Sequence, residues 1–210
     1  MLFPIECCQS YLSRDIMEND KLTDICMNSQ RILLRNVKFE DGEMIAHLAG
    51  DFCIADMMNG AIPHPYSLND AQLWVEKHKE DNLNSKAISW AIIEKKSRMF
   101  IGSIQLRRAE KNNVARLSYW IGKDYWGNGY ASEAVGLVID YAFNEMNLEL
   151  IEADHFERNP GSGFVLKKNG FIQSGSFCKK EGLMEREEVF FCYQIDQHLY
   201  RFFLNEHKID

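Results

Sequence analysis

The sequence predicts a mixed α+β fold in which helices flank a mostly antiparallel central sheet of about seven strands. Two observations predict it. Between residues 87 and 121, three apolar segments of strand length are separated by the polar turns Glu-Lys-Lys-Ser and Glu-Lys-Asn-Asn, as in an antiparallel meander. From residue 129 the apolar period becomes helical, and strands and helices then alternate to residue 195.

The first part of the predicted order is an extension, a strand, a short helix, a turn-rich segment and a longer helix, over residues 1–30, 31–37, 40–50, 59–66 and 67–79. Residues 1–30 show no clear period, so we interpret them as an N-terminal extension that packs on the core or stays mobile. Glu40 and Asp41 place negative charge in the first turn of the short helix. Ser67, with Asp70 three residues later, predicts a capping box at the start of the longer one.

The second part continues with three strands, a helix, a strand, a helix and two strands, over residues 87–93, 99–106, 115–121, 129–146, 150–156, 160–169, 171–178 and 188–195. In the first of these helices, Ala134, Val135 and Val138 lie at helical spacing. Residues 31–196 therefore form one predicted domain, and residues 197–210 form a C-terminal tail.

Composition and charge exclude several classes of partner. Twenty-four basic residues against 31 acidic ones give a net charge of −7, which repels a nucleic-acid backbone and favours cationic partners such as amines. No apolar stretch is long enough to span a bilayer, and the first 15 residues lack a basic region ahead of a long apolar run. We therefore expect neither export, membrane insertion nor nucleic-acid binding.

The six cysteines, at positions 7, 8, 26, 53, 178 and 192, lack the C-x-x-C spacing of a zinc site. Reduced thiols in a cytoplasmic protein fit this distribution best. The sequence predicts no metal site.

Between the strand that ends at Ile121 and the helix that begins near Gly129 lies a turn with two glycines, Gly127 and Gly129. Such a turn points several free amides at one spot, where the helix dipole adds positive charge. Asn-Gly is also a hairpin signal, but the helical pattern that continues from Ala131 excludes a hairpin. The turn therefore predicts a site for an anion such as a pyrophosphate.

The segment Trp126-Gly127-Asn128-Gly129-Tyr130-Ala131 resembles the coenzyme A signature (Gln/Arg)-x-x-Gly-x-(Gly/Ala) of the GNAT acetyltransferases, with Trp126 departing at the first position. Downstream, Asn159-Pro160-Gly161-Ser162 and Lys168-Asn169-Gly170-Phe171 resemble the Asn-x-x-Ser and Lys-x-Gly-Phe motifs of the branch related to the ribosomal-protein alanine acetyltransferases. The likeness covers about residues 31–195. It implies a GNAT-like sheet that is splayed between its fourth and fifth strands, residues 115–121 and 150–156.

The resemblance implies transfer of an acetyl group from acetyl-CoA, a co-substrate, to an amine that attacks the thioester directly. It implies a set of ligands for coenzyme A: Trp120, Ile121, Trp126, Gly127, Asn128, Gly129, Tyr130, Ala131, Ser132 and Asn159. Many GNAT enzymes protonate the leaving thiolate with a tyrosine, but Leu166 occupies that position here. In the resembled branch the serine of Asn-x-x-Ser does this, which implies Ser162 as the acid.

At the position of the general base the sequence departs from the family pattern, because Arg116 stands where relatives often carry a glutamate. Arginine cannot accept a proton at neutral pH. By resemblance the nearest candidates are Asp154, which we select, and His155. Glu152 and Glu110 remain alternative candidates for the base.

The resemblance also implies that residues 59–66 help to build the acceptor site, where His64 and Tyr66 either orient a polar substrate or belong to a rigid turn. The acceptor is a peptide N-terminal amine or a small amine such as a polyamine, an amino sugar or an antibiotic. A non-catalytic acyl-CoA sensor with the same fold is the alternative function. The protein is expected to be a monomer or a homodimer.

Overall fold

One sheet organises the part of the chain that the computed structural model describes, residues 25–109 and 113–206. Its eight strands are β1 Met27–Asn28, β2 Ile32–Asn36, β3 Ala87–Glu94, β4 Phe100–Arg108, β5 Val114–Ile121, β6 Leu150–Phe156, β7 Ile172–Glu181 and β8 Arg186–Asp196. The helices are α1 Gly42–Ala49, α2 Phe52–Ala55, α3 Leu68–Leu83, α4 Tyr130–Asn144, α5 Pro160–Lys168 and α6 Gln197–Glu206. The predicted α+β class is confirmed.

The strands lie in the order β1-β2-β3-β4-β5-β6-β8-β7. Neighbouring strands run antiparallel except β5 and β6, which run parallel and pair only where Val114–Arg116 faces Leu150–Glu152. Beyond Arg116 the two strands diverge, so the sheet is open between the predicted fourth and fifth strands. The two-residue β1 precedes the predicted first strand and brings the strand number to eight instead of about seven.

Local sequence signals explain where the helices begin. Ser67 Oγ accepts a hydrogen bond from the Asp70 amide at 3.2 Å, and Asp70 accepts one from the Ser67 amide at 2.8 Å, which confirms the predicted capping box. The four-residue α2 was not predicted. It begins after Asp51, whose carboxylate accepts a hydrogen bond from the Cys53 amide at 2.8 Å.

The core has two parts, one on each face of the sheet. On β3, Trp90 and Ile92 are buried on the face covered by α4, whereas Ala91 and Ile93 are buried among residues of α1, α2 and α3. This alternation follows from the two-residue period of a strand. Both faces of the central strands are therefore covered.

Both ends of the described chain contact this framework. Strand β1, in the predicted extension, pairs with β2, and residues 1–24 lie outside the described residues. In the predicted tail, α6 packs against the core through Tyr200, whose hydroxyl donates to Asp140 Oδ1 at 2.5 Å. In residues 25–109 and 113–206, no helix is both long enough and apolar enough to cross a membrane.

Candidate active site

The gap between β5 and β6 widens into a cleft of about 1220 Å³. Its walls contain all the predicted coenzyme A ligands, together with Ser162 and Asp154, the residues predicted as acid and base. These are Trp120, Ile121, Trp126, Gly127, Asn128, Gly129, Tyr130, Ala131, Ser132, Asp154, Asn159 and Ser162. Residues from four separate segments thus meet in one place.

The exposed edge of β5 forms one wall of the cleft. The Gly122 amide donates to the Ile101 carbonyl at 2.8 Å, which sets the alternation of the ladder between β4 and β5. By that alternation the backbone groups of Trp120 point to β4, whereas those of Tyr119 and Ile121 point to the gap. An extended ligand placed along this edge would therefore pair with Tyr119 and Ile121, while Trp120 lines the cleft without presenting its backbone.

The glycine turn after β5 is the segment for which the sequence predicted an anion site. Gly127 has a φ of 73° and Gly129 a φ of 80°, in the left-handed region that favours glycine. Gly129 is the N-cap of α4 and supplies no side-chain cap, so the first amides of the helix at Tyr130, Ala131 and Ser132 are not capped by it. These amides and the helix dipole favour a phosphate at this position.

Side chains of the turn hold it in place. Trp126 donates from Nε1 to the Ile121 carbonyl at 2.6 Å, which ties the turn to the end of β5. Asn128 donates from Nδ2 to the carbonyls of Tyr125 and Trp126, each at 3.1 Å. Trp126, which departs from the family signature, therefore holds the turn against the end of β5.

Arg31, directly before β2, joins this turn to the segment between β1 and β2. Its Nη1 donates to the Asn128 carbonyl at 2.7 Å, and its Nε donates to Glu133 Oε2 at 2.8 Å. The guanidinium lies over the Tyr130 ring, 5.1 Å from its centroid. Although burial raises the pKa of Glu133, hydrogen bonds from Ser29 and Arg31 lower it below its ordinary value, so the carboxylate stays ionised. Arg31 thus neutralises a negative charge in the first turn of α4.

We expect Arg31→Ala to raise the Kd of coenzyme A about tenfold, because it leaves Glu133 without a cationic partner beside the predicted phosphate site and frees the Asn128 carbonyl. Calorimetry with coenzyme A measures the effect, and adding Glu133→Gln should restore part of the affinity. The KM of S-acetylpantetheine, which lacks the pyrophosphate, should not change. An unaltered Kd for coenzyme A in Arg31→Ala would contradict this role.

Ser162 lies in the first turn of α5 and faces β5. Its Oγ is 2.8 Å from the Tyr119 hydroxyl, which is also 3.2 Å from the Ser162 carbonyl. Asn159 is the N-cap of α5 and accepts a hydrogen bond from the Ser162 amide at 3.3 Å. Burial raises the pKa of Tyr119, against a smaller opposite effect of the bond to Ser162, so Tyr119 stays neutral. Two hydroxyl groups therefore bond to each other inside the cleft.

The base candidates occupy different surroundings. Asp154 lines the cleft and is ion-paired with Arg116 across the start of the splay, through two hydrogen bonds to Oδ1. His155 is buried, with Nδ1 2.8 Å from the Phe156 carbonyl and its ring stacked on Tyr193. Glu152 is exposed on β6, and Glu110 lies outside the described residues. Arg116, which stands where relatives often carry a glutamate, thus binds Asp154, the selected base.

Only part of the predicted acceptor region, residues 59–66, lines the cleft. Asn59 and Ala61 line the cleft, together with four residues from α2 and the turn after it, Cys53, Ile54, Met57 and Met58. In the described residues, His64 and Tyr66 are not among the lining residues. His64 packs edge-on against Phe52, and burial raises the pKa of Tyr66 to about 12. The rigid-turn interpretation therefore suits these two residues better than substrate orientation.

Comparison with known proteins gives the family. Residues 31–172 match the family described as the acetyltransferase (GNAT) domain, which is more than half of the 210-residue chain. The chain belongs to the GNAT acetyltransferase family. The predicted family and the use of acetyl-CoA are thereby confirmed.

A curated relative of this GNAT protein is the uncharacterized N-acetyltransferase p20 of Bacillus licheniformis. It is 29% identical over 161 residues, which cover 76% of this chain and 85% of the relative.

Two solved structures share the fold. The ribosomal-protein-S5-alanine acetyltransferase of Vibrio fischeri has a TM-score of 0.71 at 19% identity, covering 82% of this chain and 97% of that one. The microcin C7 self-immunity acetyltransferase, solved with acetyl-CoA and AMP, has a TM-score of 0.71 at 20% identity, covering 80% and 93%. At these identities the likeness shows the GNAT fold.

The residues of the cleft fit a coenzyme A thioester. The open edge of β5 offers backbone groups to an extended arm, and the amides of the glycine turn suit a pyrophosphate. The sequence did not single out Arg31 for the site, and it did not predict that Tyr119 bonds to Ser162. Their partners Glu133 and Ser162 lie 102 and 43 positions away, so no local pattern indicates these contacts.

Proposed function

We propose that this chain transfers the acetyl group of acetyl-CoA to a primary amine by direct attack of the amine on the thioester. One observation carries the proposal. The open edge of β5, the uncapped turn at Gly129 and the Ser162 hydroxyl line the same cleft. Two substrates held side by side in such a cleft react as if they were one molecule, which accounts for much of the rate of such enzymes.

Binding is divided between two segments. The amides from Gly127 to Ser132 would hold the pyrophosphate, and Tyr119 and Ile121 would pair with the pantetheine arm. Amides at the end of β5 would also donate to the acetyl oxygen as it gains negative charge. Asn159 supports this arrangement by fixing the first turn of α5.

Ser162 is the proposed acid. When the bond between the amine nitrogen and the acetyl carbon forms and the carbon–sulfur bond breaks, Ser162 gives its proton to the departing thiolate. Tyr119, neutral and bonded to Ser162 Oγ, is placed to replace that proton.

Asp154 is the proposed base, and it would accept the proton that the attacking amine loses, directly or through water. Arg116 orients it by binding Oδ1. We further propose a cytoplasmic location, which stays a prediction from the sequence, as do the domain limits 31–196 and the oligomeric state.

Binding and turnover with the purified protein test this function. Acetyl-CoA should bind with low-micromolar or tighter affinity and raise the Tm, because a ligand of the native state stabilises it. An acceptor screen with peptides, polyamines, amino sugars and simple amines, scored by release of coenzyme A, should show turnover with at least one class. Binding of acetyl-CoA without turnover of any amine would favour the acyl-CoA sensor. Absence of acetyl-CoA binding would contradict both functions.

A further inference from the structure

The cleft has an apolar wall on the side of α2. Its residues Cys53, Ile54, Met57, Met58 and Ala61 carry no charge, and Asn59 is their polar neighbour. The two methionines are flexible and polarisable, which suits contact with aliphatic or aromatic groups of varied shape. We call these six residues the α2 wall.

Two aromatic residues of the terminal hairpin also line the cleft. Phe177 on β7 stacks on Phe190 of β8, with ring centroids 4.7 Å apart and an angle of 6° between the planes. Both rings line the cleft, yet 41% of Phe177 is exposed. Exposed apolar surface inside a cleft marks a place where a ligand packs.

An ion-pair network shows that the α2 wall and the hairpin meet beside the catalytic residues. Arg158 directly precedes Asn159 and donates from Nη1 to Asp56 Oδ2 at 2.8 Å and from Nε to Glu188 Oε1 at 2.9 Å. Asp56 follows α2, and Glu188 belongs to β8. The two apolar surfaces are therefore fastened together at the end of β6, next to α5.

The carboxylates around this part of the cleft already have cationic partners. Among the described lining residues the acids are Asp154 and Glu181, which pair with Arg116 and Lys179. Asp56 and Glu188 behind the wall pair with Arg158 and Arg186, as the following four ion pairs show: Arg158–Asp56, Arg158–Glu188, Arg186–Asp56 and Arg186–Glu188. A second ammonium group on a substrate would therefore have to share a carboxylate that already holds a cation.

We propose that the acceptor is a monoamine whose amine-bearing carbon carries an aliphatic or aromatic group, and that this group packs between the α2 wall and Phe177. The inference rests on the proposed function and names its substrate class. Polyamines and aminoglycosides, which carry several ammonium groups, are poor substrates on this basis.

Matched amines test the substrate class. We would compare kcat/KM for phenethylamine and isoamylamine, for short peptides with N-terminal Leu or Asp, and for spermidine and kanamycin. The apolar monoamines and the Leu peptide should exceed the others by about tenfold or more, as expected for an apolar subsite. Equal values, or a preference for spermidine, would overturn this inference alone. Acetyl-CoA binding without turnover of any amine would overturn the proposed function, and this inference with it.

Variants of Phe177 and of the α2 wall give a second readout. Phe177→Ala should lower kcat/KM for the best apolar amine about tenfold, mainly through KM, with an unchanged Kd for acetyl-CoA. Met57→Glu should shift the ratio of kcat/KM values from the apolar amine toward spermidine. Phe202→Ala, which removes another exposed phenylalanine, on α6, is the matched control and should leave kcat/KM unchanged. Unchanged amine selectivity in both Phe177→Ala and Met57→Glu would overturn the assignment of this apolar subsite.

Discussion

Gly129→Asp is expected to abolish the binding of coenzyme A, raising its Kd from the low-micromolar range to beyond about 1 mM. A left-handed φ of 80° is strained for aspartate, and the new carboxylate would stand where the pyrophosphate binds. Its Cβ would lie 3.4 Å from Arg31 Nη2, so the carboxylate would also compete with Glu133 for the guanidinium. Calorimetry and the shift in Tm caused by coenzyme A measure the loss.

Two control variants separate charge from backbone strain. Gly182→Asp places the same residue at a φ of 86°, in the turn between β7 and β8, where a Cβ meets no atom within 4 Å. It should bear a similar strain and keep its affinity for coenzyme A. Gly129→Ala adds the strain without the charge and should weaken binding far less than Gly129→Asp. If Gly129→Asp bound as tightly as the unmodified protein, the phosphate site would lie elsewhere.

Ser162→Ala is expected to lower kcat about ten- to a thousandfold and to change the affinity for acetyl-CoA only a few-fold. The hydroxyl would meet the sulfur only as negative charge develops there, so its removal raises the barrier more than it weakens the ground-state complex. The variant is structurally mild, because Tyr119 keeps a partner in the carbonyl of residue 162 and Asn159 still caps α5. Steady-state kinetics with the best amine of the screen and calorimetry with acetyl-CoA measure the two effects.

Tyr119→Phe shows whether the paired hydroxyl groups act together. If they form one proton path, the double variant should be no slower than Ser162→Ala alone, because effects within a unit are not additive. An unchanged kcat in Ser162→Ala, combined with much weaker binding of acetyl-CoA, would make Ser162 a ligand and not the acid.

The sequence predicted the features that depend on neighbouring residues. The capping box at Ser67 and the glycine turn before α4 need only a few consecutive side chains to form. The strand and helix periods likewise follow from which face of each element is buried. Resemblance of two motifs then led from these elements to the family, which the match over residues 31–172 shows.

The sequence did not predict the surroundings of the proposed base, Asp154, or which residues of the acceptor region line the cleft. Arg116 was recognised as a departure, but its pairing with Asp154 depends on the register at which β5 meets β6. His64 and Tyr66 were natural candidates for a polar substrate because of their chemistry. In the structure Met57 and Met58 line the cleft instead, since the unpredicted α2 determines which side of the segment faces it.

The sequence alone therefore determined the fold class, the glycine turn before α4 and the cleft residues that belong to motifs. Only the tertiary structure decided that Arg31 neutralises Glu133 across 102 positions, that Tyr119 bonds to Ser162, and that α2 faces the aromatic hairpin. The physical reason is that propensity and capping act between neighbours in sequence, whereas these contacts depend on where the strands pair and diverge and on how the helices pack over them.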